Sequence, residues 1–281
     1  MTKIIWQVDF YRRPLKSETG DPLWELLVCD SPINFYVSVF CPQSQVNSHW
    51  LMAQFNQLFK SYPQPDIIQV FRPQSLSLIE ILGKSLGISV DATRRTPALK
   101  SLLQERAKEY LKWDNYTGES YNPVLLESPP PIPLPDNLWG DRWRFASLAA
   151  GDLEEYFKER PIPILEMPDF LLPFNLGLAS TVRIPGVIID GGRQSMKLAR
   201  WLENVKPVAL NYLQGTPDGL ILDAGLVDRW VVATFEDKEV TAAAKLYEER
   251  KQLSQGLHFL LVQPDDSGMT YTGFWLLNCF L

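Results

Sequence analysis

Ile67-Ile68-Gln69-Val70-Phe71-Arg72-Pro73 is a short, β-branched run closed by a proline. Its composition predicts a strand, and the proline ends it because it has no N–H for a sheet ladder. On both sides the apolar period lengthens to that of a helix. Upstream, Leu51, Phe55, Leu58 and Phe59 fall on one helical face, with Ser44 as the expected N-cap and Pro63 and Pro65 as the stop. Downstream, a second helix is expected over about 76–86, ending at Gly87, the residue type favoured just past a helix end. The strand is therefore framed by helices. Residues 88–91 read as a further strand, and Thr96-Pro97 opens a third helix lined by Leu99, Leu103, Ala107 and Tyr110.

Towards the N-terminus the period shortens to two. Residues 4–11, 23–29 and 35–40 read as three strands joined by short turns, the first of them at Thr19-Gly20-Asp21-Pro22. An antiparallel meander is the simplest pairing. The order is strand, strand, strand, helix, strand, helix, strand, helix, which is a ribonuclease H-like order in an α/β domain. Nucleases of that fold need several carboxylates converging on two metal ions. Asp9 is the only acid of the first strand, the run at 67–72 ends in arginine, and no acid occurs between Ser44 and Lys60. A binding or scaffold role is expected for this domain, without catalysis.

Ser128-Pro129-Pro130-Pro131-Ile132-Pro133-Leu134-Pro135 changes the composition abruptly. A proline-rich run is semi-rigid and excluded from sheet interiors. Residues 122–138 are therefore expected as a linker between an N-terminal domain over 1–121 and a C-terminal domain over 139–281. A docking ligand for an aromatic groove is the other reading of such a run.

The C-terminal part reads as a mixed α/β domain. Asp152 is expected to cap a short helix, with Glu155 as its reciprocal partner. Strands are expected at 162–165 and 187–189, a helix over 196–202, a strand at 208–213, a hairpin over 220–222 and 230–235, a helix over 241–253, and strands at 258–262 and 269–280. The last is apolar almost throughout, which suggests an interior position in its sheet. An exposed tail that binds a partner is the rival reading. The helix–strand–strand–strand–helix order resembles a restriction-endonuclease-like core. Within it, Pro217-Asp218 and Glu236-Asp237-Lys238 have the spacing of a metal nuclease, with Asp218 and Glu236 as metal ligands and Lys238 stabilising developing charge. A common Pro-Asp-Gly turn and an acidic helix start give the same string.

The chain has 281 residues, 46% hydrophobic and 21% charged, with a formal net charge of −6. That balance excludes wholesale disorder and does not favour coating nucleic acid by bulk charge. Any RNA contact has to be local. Three sparse cysteines and two distant histidines argue against a disulfide framework and a zinc site. Asp190-Gly191-Gly192-Arg193 lacks the spacing of a phosphate loop, and no cofactor is expected. The N-terminal run lacks the apolar core of a signal peptide and the character of a transit peptide, and no apolar stretch approaches the ~18 residues of a bilayer span. A bacterial-type cytoplasm is the expected compartment.

Local RNA-binding candidates do exist. Trp139-Gly140-Asp141-Arg142-Trp143-Arg144-Phe145 interleaves rings with arginines, which stack on unpaired bases and pair with phosphate. The alternative is a strand with its tryptophans in the core and its arginines at the rim. Arg12-Arg13 leaves the first strand and Arg94-Arg95 precedes the third helix. If the first and fifth strands share a sheet, the two pairs form a phosphate site at one edge; otherwise they are a solvated rim.

Trp6-Gln7-Val8-Asp9-Phe10-Tyr11-Arg12-Arg13-Pro14 and Trp24-Glu25-Leu26-Leu27-Val28-Cys29-Asp30 resemble the N-terminal signature of the Tab-two family. Leu134-Pro135-Asp136-Asn137-Leu138-Trp139-Gly140, Asp228-Arg229-Trp230 and Trp275-Leu276-Leu277 resemble it too. These are RNA-binding proteins of chloroplasts and cyanobacteria, required for translation of photosystem I reaction-centre messages. The resemblance implies RNA binding at a photosystem mRNA leader, a role in photosystem biogenesis beside translation or assembly proteins, a cyanobacterial cytoplasm and no catalysis. It adds Arg229, Trp230 and Trp275 to the RNA-binding candidates, although Trp275 also reads as core.

Overall fold

The computed structural model describes residues 3–280, and the chain divides into one compact unit over residues 1–127 and a second over 128–280. In the first unit, β1 (Ile5–Lys16), β2 (Pro22–Asp30) and β3 (Tyr36–Pro42) form the expected antiparallel meander. Then come α1 (Ser48–Leu58), β4 (Ile67–Val70), α2 (Pro73–Leu86), β5 (Ser89–Ala92) and α3 (Pro97–Tyr110). The sheet order is β3-β2-β1-β4-β5, with β4 parallel to both β1 and β5. The succession of elements is the one read from the sequence, in a mixed α/β architecture.

Both faces of this sheet are covered. Trp6, Val8 and Phe10 of β1 point to one face, where they pack with Leu51 and Phe55 of α1 and Ile79 and Leu82 of α2. Leu27 and Cys29 of β2 face the other side, against Leu99 and Leu103 of α3. Strand alternation then sends Gln7 and Asp9 towards α3, inside the protein. Gln7 Oε1 accepts the Leu99 N–H at 2.9 Å, so this buried polar face is hydrogen-bonded where α3 begins.

Local signals place the helix ends, with two corrections. Asn47, not Ser44, caps α1, its side chain accepting the Trp50 N–H at 2.9 Å. Ser44 lies in a separate 3-10 turn, one turn too early to reach that N–H. Gly87 ends α2 at φ +70°, a left-handed turn that glycine adopts without steric cost. Thr96 occupies the position before α3, but its side chain makes no cap hydrogen bond.

The second unit contains β6 (Ile132–Pro133), β7 (Arg142–Ala149), α4 (Ala150–Lys158), β8 (Ile164–Glu166), β9 (Arg183–Asp190), α5 (Ser195–Val205), β10 (Pro207–Leu213), β11 (Asp218–Ala224), β12 (Asp228–Phe235), α6 (Lys238–Leu253), β13 (Leu257–Gln263) and β14 (Gly273–Asn278). Two sheets result, ordered β7-β9-β13-β14-β8 and β10-β11-β12-β6. Val187, Leu260 and Trp275 of the first and Leu210, Leu220 and Leu222 of the second join one core. His258 on β13 ties the sheets directly: its Nε2 accepts the Leu210 N–H at 2.9 Å, while Nδ1 faces the Gly256 carbonyl at 2.8 Å.

The apolar last strand β14 lies inside its sheet, between β13 and β8, and all of its residues are buried. Asp152 falls in the first turn of α4 without capping it; Ala149 holds the cap position. The segment expected as a linker is held at both ends. Arg72 donates to the Pro123 carbonyl at 2.7 Å in the first unit. In the second, Leu134 and Leu138 are buried in the core and Ile132–Pro133 pairs with β12 at a sheet edge. Leu134 between the prolines and Leu138 just beyond them bury apolar area, and an edge position tolerates a residue without an N–H.

Candidate nucleic-acid interface

Strand alternation sorts the Trp139–Phe145 cluster. Trp143 and Phe145 point inward, with ring centroids 5.5 Å from Phe235 and 5.1 Å from Tyr247 respectively. Arg142 and Arg144 share the opposite face of β7, with side chains 64% and 42% exposed. Both are held by one carboxylate. β7 pairs with β9 so that Arg142 stands opposite Asp190, whose side chain is almost wholly buried. Arg144 Nη1 lies 2.7 Å from Asp190 Oδ2 and Arg142 Nε 3.6 Å from it, and Gln263 Nε2 donates to Oδ1 at 2.8 Å. Arg142 also pairs with the exposed Asp266 at 2.9 Å.

Trp139 completes the group. The residue is 47% exposed, its Nε1 donates to the Leu134 carbonyl at 3.0 Å, and it lines a cavity of about 30 Å³ together with Arg142. The approach is close enough to need glycine next door: a Cβ on Gly140 would stand 2.9 Å from the Asp190 carbonyl oxygen and 2.6 Å from the Ile189 side chain. Arg193 is exposed three residues beyond Asp190. Two arginines are balanced here by two acids, so the patch has no large net charge. It offers oriented guanidinium N–H groups and an exposed indole, which suit phosphate contact and base stacking.

The other candidates are dispersed by burial. Trp275 is fully buried, between β13 and β8, so its ring is core and not a stacking surface. Trp143 is interior-facing. Trp230 is partly buried, its ring edge-on to Trp201 at 5.2 Å, and Arg229 is tied to Asp223 at 3.1 Å on the other sheet of this unit. In the first unit, β1 and β5 do share a sheet and run the same way, so Arg12, Arg13, Arg94 and Arg95 lie towards its same end. Arg12 is exposed and Arg94 and Arg95 are partly buried. Arg13 is removed from that surface, because its side chain turns inward to Asp9 and Glu25. Lys100 adds a cation beside Arg94; burial, with the Arg94 charge second, lowers its pKa to about 8.

Arg13 belongs to a buried chain of charges. Arg72 pairs with Asp9 at 2.9 Å, Asp9 with Arg13 at 2.8 Å, Arg13 with Glu25 at 2.7 Å, and Glu25 with Arg106 at 2.5 Å. Glu25 also accepts hydrogen bonds from Ser38 and Tyr110. Burial alone raises the Glu25 carboxyl, but Arg13, Arg106 and these two donors outweigh it and hold it below the usual carboxylate range. Desolvation of so many ions is costly, and each acid is compensated by two guanidiniums.

The nuclease-like string does not assemble. Asp218 Oδ1 accepts the Gly215 N–H at 3.0 Å and its Oδ2 the Thr241 hydroxyl at 2.7 Å. Asp237 caps α6, Glu236 and Lys238 are exposed, and no group of three or more metal-capable side chains occurs among the described residues. The signal the sequence reading missed is Asp190, which reaches β7 only through sheet pairing.

Residues 5–106 match a family model described as RNA-binding protein Tab2/Atab2 N terminal, and residues 121–278 match one described as its C-terminal domain. The chain is 29% identical to the chloroplastic TAB2 homologue of Arabidopsis thaliana, over 97% of this chain and 74% of that protein. It is 30% identical to the chloroplastic TAB2 homologue of Zea mays, over 97% of this chain and 70% of that protein. Among solved structures, the HTLV-2 integrase catalytic core overlaps with 42% of this chain and 81% of its own, at 14% identity and a TM-score of 0.30, which is too low to carry a statement about fold or chemistry.

Proposed function

The chain belongs to the Tab2/Atab2 family of RNA-binding proteins, and from that premise we propose that it binds the leader of a photosystem I reaction-centre message and promotes its translation, without catalysis. The observation that carries the RNA contact is the β7 surface: Arg142 and Arg144 fixed by the buried Asp190, beside the exposed Trp139. Oriented arginines and a flat ring suit an unpaired strand, where stacking supplies about 1–3 kcal/mol per base. The carboxylate anchor lowers the conformational entropy lost when phosphate is bound. The working compartment would be the cytoplasm of a photosynthetic cell, where translation takes place; no helix of the described residues is long and apolar enough to cross a membrane.

The test is binding of a photosystem I leader RNA at moderate salt, measured against unrelated RNAs of equal length. Preferential binding that weakens in Trp139→Ala and in Arg142→Gln supports the proposal. Equal, weak binding of all RNAs, unchanged in both variants, rejects it. A protein-binding assembly role is the outcome if message is recovered only in the presence of other proteins.

A further inference from the structure

The first unit holds a cavity of about 220 Å³ beside the buried charge chain. Tyr11, Arg12, Arg13 and Arg72 line one part of it, and Gln74, Tyr121 and Asn122 another. The two inner arginines are rigid. Arg72 is fixed by Asp9 and by the Pro123 carbonyl, and its guanidinium carbon lies 4.2 Å from the centre of the Tyr11 ring. Arg13 Nη1 donates to the Tyr121 hydroxyl at 3.2 Å, which leaves the phenol's own proton for another acceptor. Arg13 Nη2 is buried without a hydrogen-bond partner. Arg12, Gln74 and Asn122 are exposed, and Asn122 is oriented by the Val124 N–H, which its Oδ1 accepts at 3.2 Å.

Charge and chemistry narrow the occupant. The buried chain has three guanidiniums for two carboxylates, an excess of one positive charge where screening by water is weak. The third of those arginines, Arg106, is also paired at 3.3 Å with Glu109, whose carboxylate is 53% exposed and correspondingly screened. Two further acids, Glu119 and Glu127, line the same cavity and are exposed. With Glu109 the chain balances at three guanidiniums and three carboxylates, so Arg12 is the exposed cation of the lining left for one phosphodiester, and Glu119 and Glu127 oppose a polyanion. Gln74 carries an amide donor and acceptor side by side, the pattern that reads the edge of a base, Asn122 adds its amide N–H groups while its Oδ1 is held by the Val124 N–H, and Tyr121 contributes an aromatic ring to the lining. The cavity is smaller than the roughly 300–1,000 Å³ of sites for drug-sized ligands, so it has room for one base and its attached group, not for a stack.

We propose that this cavity is a binding site for one unpaired RNA nucleotide, its base met by Gln74 and Asn122 and its phosphodiester by Arg12. The inference rests on the RNA-binding reading but not on the β7 surface, which belongs to the other unit. A nucleotide held here would add sequence preference to contacts that by themselves are not base-specific.

The dinucleoside monophosphates ApA, CpC, GpG and UpU, each with one phosphodiester, are titrated calorimetrically into the full chain. At least one is expected to bind with a Kd of about 1 mM or tighter. Binding should weaken about tenfold in the Gln74→Ala, Asn122→Ala double variant and severalfold in Arg12→Ala. All these side chains are exposed, so unchanged melting curves confirm that the variants fold. ATP, with its triphosphate, should bind more weakly than the best dinucleotide. The proposal is overturned if no dinucleotide binds, if binding survives the double variant, or if ATP binds better. Loss of dinucleotide binding in a protein that still selects leader RNA would discard this cavity alone. Absence of any RNA binding would discard the functional reading as well.

Discussion

Arg72 Nε lies 2.9 Å from Asp9 Oδ1, so the residue that closes β4 neutralises the acid of β1. β1 and β4 are parallel neighbours, and a side chain just past the end of β4 reaches Asp9 naturally. A carboxylate at position 72 would instead have faced Asp9 as a like charge needing a cation. With arginine there, the first unit has an internal counterion, and Asp9 stays buried without one from solution.

Arg72→Ala leaves Asp9 with Arg13 as its one guanidinium partner inside the protein. The expected cost is about 3–5 kcal/mol, because one partner of a buried pair is removed and the other remains. Asp9→Asn combined with Arg72→Gln should recover part of that loss. Urea unfolding of the single and double variants measures both, and equal stability of Arg72→Ala and the parent would refute the structural role.

His258 predicts a pH dependence. Burial, followed by the charge of Lys251, lowers its pKa to about 3, against about 6.5 for an unfolded histidine. The unfolded chain therefore takes up a proton that the folded one refuses between those values. The stabilising contribution is complete above about pH 6.5 and declines as pH falls towards 3. Replacing the ring in His258→Gln should remove this slope and, by disturbing the bond to the Leu210 N–H, lower stability at pH 7. Unfolding midpoints at pH 5 and pH 7, for both proteins, settle it.

Gly186 is required by the ring above it. A Cβ there would stand 2.3 Å from the Phe259 ring, which is buried and stacked with Phe274 at 5.8 Å. Gly186→Ala is expected to cost about 1–3 kcal/mol through overpacking. Adding Phe259→Leu should relieve the clash, so the double variant is expected to lose less than the two single losses added together; additivity in calorimetric melts would contradict this.

Trp275 is a core residue, and its RNA phenotype should follow from that. Trp275→Ala is expected to lower stability by about 3–5 kcal/mol and to lose RNA binding only as far as the protein unfolds. Trp275→Phe, if it stays folded by circular dichroism, should keep its affinity. A folded Trp275→Phe protein with tenfold weaker binding would mean that the indole itself contacts RNA.

On the β7 surface, Arg142→Gln should flatten the dependence of log affinity on log salt by about one unit, as expected for one lost phosphate contact. Trp139→Ala should weaken binding with little change in that slope, since stacking releases no counterions. Salt titrations of both variants separate the two contributions, and identical slopes throughout would deny Arg142 a phosphate partner.

The linear sequence determined the local choices. Apolar periods of two and of about four distinguished strands from helices, Gly87 marked a helix end, and the apolar C-terminal run pointed to an interior strand, with an exposed tail as the rival. Family strings were legible for the same reason, since they are local. Tertiary structure decided which polar residues are inside. Arg12 and Arg13 are neighbours of identical chemistry, yet one is exposed and the other sealed, because strand alternation aims only Arg13 at Asp9 and at Glu25 on the next strand. Likewise nothing near Arg142 announces Asp190, which is distant in sequence and meets it only through the register of β7 on β9. Burial of a charge depends on a partner brought from elsewhere in the chain, and a single sequence does not display that pairing.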